Sequence, residues 1–239
     1  MSVVSAIVLT GGKGTRISGL FPDVPKPMIK VAGEPFLYWV TAYLSRFGVS
    51  NLIYSTGHLG GQIAGWCEKR QFPDLRRVVC HEIAPLGTGG GLLNCLDLCG
   101  ENIVALNGDS LCLGGVEQLL GLRDDANVSA GLIGVHQDDA SRYGSLDFDS
   151  GSNRLRGFRE KAPGRAHINA GVYYFRKSAL LAFPRDTVLS IEHDIVPQLL
   201  VRGDDIRVVP VRDAPFIDIG IPETVNAAAA FIEANKALF

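Results

Sequence analysis

Apolar and polar positions alternate between two rhythms along the first half of the chain. "VVSAIVL" (3–9) is an almost unbroken apolar run that stops at Thr10-Gly11-Gly12, as a strand buried on both faces does. "FLYWVTAYLSRFG" (36–48) repeats its large apolar residues at helical spacing and ends on Gly48. "VSNLIYST" (49–56) reads as a strand, "LGGQIAGWCEKRQF" (59–72) as a helix and "RRVVCHEI" (76–83) as a strand again. "TGGGLLNCLDLCG" (88–100) opens a helix, and "NIVALNGD" (102–109) is a further buried strand. That rhythm predicts an α/β fold, a mostly parallel sheet with helices on both faces. The second half predicts antiparallel additions. "NVSAGLIGVH", "GSLDFD", "RLRGFRE" and "INAGVYYFR" are strands lying close together, with "DSGSN" turning between two of them. "SIEHDIVPQLLVRG" (190–203) and "PETVNAAAAFIEANKALF" (222–239) read as helices, the latter with Pro222 and Glu223 suited to a first turn. With no repeat or linker visible, residues 1–239 are expected to form one domain. Residues 1–125 are expected to form a nucleotide-type half and 126–239 a substrate-type half.

Composition narrows the class. A net charge of -2 with no block of like charges provides no field for nucleic acid or a membrane surface. The five cysteines, Cys67, Cys80, Cys95, Cys99 and Cys112, show no CxxC pair, which argues against a disulfide framework and a zinc site. Cys95 and Cys99, four apart on the expected helix, read as core packing. His58, His81, His136, His167 and His193 lack metal-ligand spacing, and Trp39 and Trp66 sit in apolar helical patterns as core residues. The N-terminus has no basic n-region or cleavage site, and no apolar run is long enough to span a bilayer. A cytoplasmic protein is expected, and homo-oligomerisation stays open.

The chemistry concentrates in "LTGGKGTRISGLFPDVPKPM" (9–28). Glycines directly after a strand let backbone N–H groups approach an anion closely. The stretch departs from a Walker A loop, because Gly12-Lys13 is followed by Gly14 and Ile7 stands where the first glycine belongs. It departs from GxGxxG as well, because Gly14 leads on to Ile17. What remains is GGxGTR, then Lys26 between two prolines. Three glycines alone would read as a turn. Arg16 adds a planar fork for phosphate oxygens and Lys26 a point charge on a stiff backbone.

GGxGTR followed by KP resembles the signature of the sugar-1-phosphate nucleotidyltransferases, the NDP-sugar pyrophosphorylases. Downstream segments agree in order: "PLGTGGG" (85–91), "NGD" (107–109), "EK" (160–161), "NAGVY" (169–173) and "DIGIPET" (218–224). The resemblance extends from residue 6 to about residue 230. It implies a Rossmann-like domain of the nucleotide-diphospho-sugar transferase type, without the β-helix domain of longer members. "SIEHDIVP" with "FIDIGIPETV" is most similar to the short guanylyltransferases acting on manno-heptose 1-phosphate. The implied reaction is NTP plus sugar 1-phosphate giving NDP-sugar and pyrophosphate, with Mg²⁺ as cofactor.

The resemblance also assigns roles. Arg16 grips the β- and γ-phosphates, Lys26 neutralises the α-phosphate, and Lys161 meets the sugar phosphate. Leu9, Gly11, Gly12, Gly14, Thr15, Gly87 and Thr88 frame the nucleotide. Gly144, Glu160, Asn169, Gly171 and Glu192 face the sugar. Asp109 and Asp218, each ending an apolar run, hold the metal. Each has a plainer reading: helix capping for the two aspartates, a solvated edge for Glu160-Lys161, an early-helix acid for Glu192. GTP is the favoured donor and manno-heptose 1-phosphate the favoured acceptor. A uridylyltransferase for a hexose or N-acetylated sugar phosphate, a catalytically silent nucleotide-sugar-binding regulator, and a glycosyltransferase are the competing readings. The last would need no triphosphate-gripping loop.

Overall fold

The computed structural model describes residues 4–12, 17, 19–161 and 163–239. In chain order the first half contains β1 (Val4–Leu9), β2 (Lys30–Val31), β3 (Glu34–Pro35), α1 (Phe36–Ser45), β4 (Val49–Thr56), α2 (Gly60–Lys69), β5 (Arg76–His81), α3 (Gly87–Asn94), β6 (Asn102–Asn107), β7 (Ser110–Cys112) and α4 (Val116–Gly121). The second half adds β8 (Val128–Gln137), β9 (Ser145–Phe148), β10 (Leu155–Arg159), β11 (Ala166–Arg176), α5 (Lys177–Leu180), α6 (Val196–Val201), β12 (Asp205–Val211), β13 (Phe216–Asp218) and α7 (Pro222–Ala234).

One sheet of nine strands carries the described structure. Strands β5, β4, β1 and β6 lie side by side and parallel. Strand β11 joins antiparallel to β6 and extends the sheet toward β9, β10 and β8. The expected parallel sheet with antiparallel additions is therefore what forms. Alternation along each central strand splits its side chains between two cores. Val4, Ala6 and Val8 of β1 face the layer of α1, α2, α4 and α7, with Val104, Leu106 and Tyr54. Ile7 faces the opposite layer of α3, α5 and α6, with Ile53, Ile103 and Ala105. Such strands are apolar at every position because both faces are covered.

Three expectations are adjusted by tertiary packing. The helix begun at Gly87 stops at Asn94; Cys95 closes it, and Cys99 follows a short 3₁₀ turn. Both thiols are nevertheless buried. Residues Ile191–Ile195 wind as a π-helical turn before α6, with Ser190 Oγ accepting from the Glu192 and His193 N–H groups. Strand β12 was not evident from the pattern, because Pro210 interrupts it; the strand pairs along its length with β8, and its outer side is bridged at Arg207 to Arg154, leaving Pro210 at the sheet edge, where proline is tolerated. Trp39 is buried and Trp66 half-buried against that core.

Candidate active site

The parallel strands all end on one side, and in open α/β sheets that side binds ligands. Backbone bonds stitch these ends together. Thr10 N–H donates to Ser55 O (2.8 Å), Gly108 N–H to Leu9 O (2.9 Å) and Glu82 N–H to Thr56 O (2.7 Å). A cavity of about 350 Å³ opens above them, lined by Leu9, Gly11, Gly12, Lys26, Gly87, Thr88, Asn107 and Asp109, with Glu82 in its wall. A second cavity of about 730 Å³ is lined by Tyr143, Gly144, Glu160, Lys161, Asn169, Gly171 and Glu192, and by Asn107 again. The two cavities thus share one wall residue. Gly14, Thr15 and Arg16 lie outside the described residues.

Lys26 sits on a 3₁₀ turn between Pro25 and Pro27, closed by Met28 N–H to Pro25 O at 2.7 Å. The prolines fix this turn and aim the ammonium, which pairs with Asp109 Oδ2. Asp109 caps no helix, since α4 begins seven residues later behind Gly115. Asp218 is brought beside it by pairing of β13 with β7, Asp218 opposite Ser110, and by Ile219 N–H donating to Asp109 O at 2.9 Å. Asp218 does not cap α7 either, whose N-cap is Ile221. Its Oδ1 accepts from Gly220 N–H (2.9 Å) and its Oδ2 from the Tyr143 phenol (2.6 Å). Burial, and then the bond to Asp218 and its charge, pushes Tyr143 up to about 12, so the phenol stays a donor at neutral pH.

Three participants went unassigned in the sequence. Glu82, only 7% exposed, accepts from Ser55 Oγ at 3.0 Å and from Leu86 N–H at 3.1 Å. A methyl group on Gly11 would lie 2.9 Å from its Oε1, and one on Gly91 2.7 Å, so both glycines make room for this carboxylate. The available signal was an acid at a strand end, five residues before Gly87, the same signal as Asp109. Tyr143 and Tyr173 are the other two; Tyr173 ends the "NAGVY" motif, which assigned it no role, and Tyr143 carries no local signature. Asn169 donates from Nδ2 to Tyr173 Oη (2.7 Å), while its Oδ1 accepts from Gly171 N–H (3.0 Å). Gly171 has φ +69° and its missing Cβ would strike the Asn107 amide, so glycine is required there. Glu160 and Lys161 are exposed at the cavity edge.

Known proteins resemble the chain over most of its length. Residues 5–235 match the family model described as nucleotidyl transferase. The chain is 32% identical over 224 residues to a mannose-1-phosphate guanylyltransferase of Mycobacterium tuberculosis, covering 92% of this chain and 62% of that protein's length. It is 29% identical to a D-glycero-alpha-D-manno-heptose 1-phosphate guanylyltransferase of Aneurinibacillus thermoaerophilus, covering 94% of this chain and 96% of that protein. Among solved structures, HddC from Yersinia pseudotuberculosis complexed with GMP-PN superposes with TM-score 0.82 at 31% identity, over 95% of this chain and 98% of that one. A putative glucose-1-phosphate thymidylyltransferase from Bacillus anthracis, at 19% identity and TM-score 0.80, shares the fold. With two cavities meeting at the strand ends and a match spanning residues 5–235, the chain belongs to the nucleotidyl transferase family and has the nucleotide-diphospho-sugar transferase fold.

Proposed function

We propose that this chain is a cytoplasmic sugar-1-phosphate guanylyltransferase that uses Mg²⁺, with manno-heptose 1-phosphate as the favoured acceptor. The observation that carries the reading is the placement of Lys26 and Asp109 in the wall of one of two cavities that meet at Asn107, with Asp218 held beside Asp109 and bonded to Tyr143 in the wall of the other. A transfer between two phosphorylated substrates needs such a layout: one chamber for each, and charge control where they meet. An oxygen of the sugar phosphate attacks the α-phosphorus in line; one P–O bond forms, the α–β bridge breaks, and pyrophosphate leaves. Lys26 counters the negative charge gathering at the α-phosphate, and Arg16 grips the departing phosphates. Lys161 holds the sugar phosphate at the mouth of the larger chamber. Glu160 and Asn169 read the sugar hydroxyls, with Gly144 and Gly171 allowing close approach.

The donor set fits Mg²⁺. Asp109 and Asp218 supply hard oxygens from adjoining backbone, and Asp109 already holds a cationic partner, Lys26. Among the described residues no cluster of three or more acidic, histidine or cysteine side chains forms a closed cage. Two carboxylates with the shell completed by waters and substrate phosphates is the usual Mg²⁺ arrangement. The ion, when bound, supplies charge neutralisation across the phosphates.

Glu82 supports guanine. Its carboxylate presents acceptors only, with two of roughly four lone-pair positions used by Ser55 and Leu86. Guanine offers two adjacent donors, N1–H and the N2 amino group, on its Watson–Crick edge. Uracil offers one donor between two carbonyls that a carboxylate repels. The heptose assignment is supported by the full-length relatives of that name and by the larger second chamber. A matrix of NTPs against sugar 1-phosphates, read as NDP-sugar and pyrophosphate formed, tests the reading. Product confined to UDP-sugars would overturn the guanylyl part, and no product in any cell would overturn the whole.

A further inference from the structure

A line of hydrogen bonds joins the walls of the two chambers. Thr88, in the wall of the smaller one, accepts from Ile191 N–H (3.0 Å) and directs its hydroxyl at Glu192 Oε2 (3.4 Å). The same oxygen accepts from Ser190 Oγ (2.9 Å), and Glu192 Oε1 accepts from the Tyr173 phenol at 2.6 Å. Tyr173 Oη in turn accepts from Asn169 Nδ2 in the wall of the larger chamber. Three hydroxyls therefore converge on Glu192, using three of its roughly four acceptor positions. That makes the residue an anchor for its neighbours more than a hand held out to sugar. Asn169 keeps one amide hydrogen and one carbonyl lone pair beyond these bonds, a donor and an acceptor suited to hydroxyls.

The backbone follows the same route. Leu189 O accepts from Gly89 N–H (2.7 Å) and Gly90 N–H (3.2 Å), and Leu189 N–H donates to Leu86 O (2.9 Å). A Cβ on Gly87 would lie 2.5 Å from Leu189 O. The "GTGG" glycines thus admit the segment carrying Glu192 against the nucleotide wall, in addition to any approach they give a phosphate. Tyr173 is fully buried, where a bare phenylalanine would fill the space. A buried hydroxyl persists at such a place when it has partners on both sides, as this one does.

We propose that Glu192 and Tyr173 are positioning residues, which lock the Asn169 amide for the sugar phosphate and tie its orientation to Thr88 on the nucleotide wall. The inference rests on the proposed function and deepens it, by assigning sugar selection to two side chains that need not touch sugar. Steady-state kinetics with Mg²⁺, GTP and the best sugar 1-phosphate of the matrix tests it. In Tyr173→Phe the KM for sugar phosphate is expected to rise about tenfold, the scale of one lost neutral hydrogen bond, while the KM for GTP stays within about twofold. Thr88→Val is expected to raise the sugar KM too, although Thr88 lines the other chamber, and Thr88→Ser to restore it. Should Tyr173→Phe fail to fold, Glu192→Gln, which keeps shape and packing, is expected to show the same selective rise at smaller size. An unchanged sugar KM, or equal rises for both substrates, overturns the proposal while the parent remains an active guanylyltransferase. A parent without turnover overturns the proposed function, and this inference falls with it.

Discussion

Replacing Glu82 by glutamine changes one oxygen into an amino group and removes the negative charge at nearly constant shape. Ser55 Oγ and Leu86 N–H, at 3.0 and 3.1 Å, can both be kept, because glutamine still accepts at Oε1 and a serine hydroxyl can turn to accept from Nε2. Folding should survive the change. The face presented to the base changes from acceptor–acceptor to acceptor–donor. Against guanine, one charged hydrogen bond is lost and a donor meets a donor. A bond to a charged group is worth about 1.5–3 kcal/mol, so kcat/KM for GTP should fall by roughly 10- to 100-fold, at 1.4 kcal/mol per decade. Against uracil the new pair matches N3–H and one carbonyl, so UTP should gain. The assay is competition in one tube, GTP and UTP at equal concentration with one sugar 1-phosphate and Mg²⁺, products separated by chromatography. The ratio of GDP-sugar to UDP-sugar should drop by at least about tenfold in Glu82→Gln relative to the parent. An unchanged ratio would show that Glu82 does not read the base, and the argument from donor and acceptor edges would fail.

Lys26→Ala should cost about two or more decades of turnover with the fold retained, the scale of one electrostatic group in such a site; Arg16→Ala should do likewise, and parent-like kcat/KM in either would remove its role. Asp109→Asn and Asp218→Asn should each shift the Mg²⁺ titration of activity to higher concentration, and EDTA should abolish parental turnover reversibly; activity that persists in EDTA counts against the carboxylate pair. His167 is held below its ordinary value by burial, then by the charges of His136 and Arg212, and its Nε2 is buried without a hydrogen-bond partner among the described residues. The unfolded chain therefore takes up this proton before the folded one does, so the stability tied to a neutral His167 is complete above the ordinary value near pH 6.5 and is lost as pH falls through the lowered one. Thermal melting between pH 7 and 5 should fall less steeply in His167→Gln than in the parent, and parallel curves would refute the assignment.

The central sheet was legible because β1, β4 and β6 are covered on both faces, which leaves an apolar run that no exposed segment would carry. Strand β12 was not, since Pro210 breaks its pattern and is permitted by its place at the edge, a property of the assembled sheet. Strands β2, β3, β7 and β13 have two or three residues each, too few for a period to register. At the site, Asp109 and Asp218 were readable as acids ending apolar runs and Lys26 as a cation held between two prolines, and the family resemblance added the sugar-side residues. The supporting shell was not readable. Tyr143 meets Asp218 across 75 residues of chain, and Thr88 meets Glu192 across 104. Glu82 looks like any exposed acid in "CHEIAP" until Gly11 and Gly91 leave space for its carboxylate. Such roles come from long-range closure, which local pattern does not encode.

Isotopic label follows the transfer of a nucleotidyl group between the contents of the two adjoining chambers. GTP labelled at the α-phosphorus in one reaction and at the γ-phosphorus in another is incubated with Mg²⁺ and manno-heptose 1-phosphate. The expected result is α-label in GDP-sugar and γ-label in pyrophosphate, in equal amounts. Label released as free phosphate, or retained wholly in GTP with this and every other sugar 1-phosphate of the matrix, would rule that transfer out.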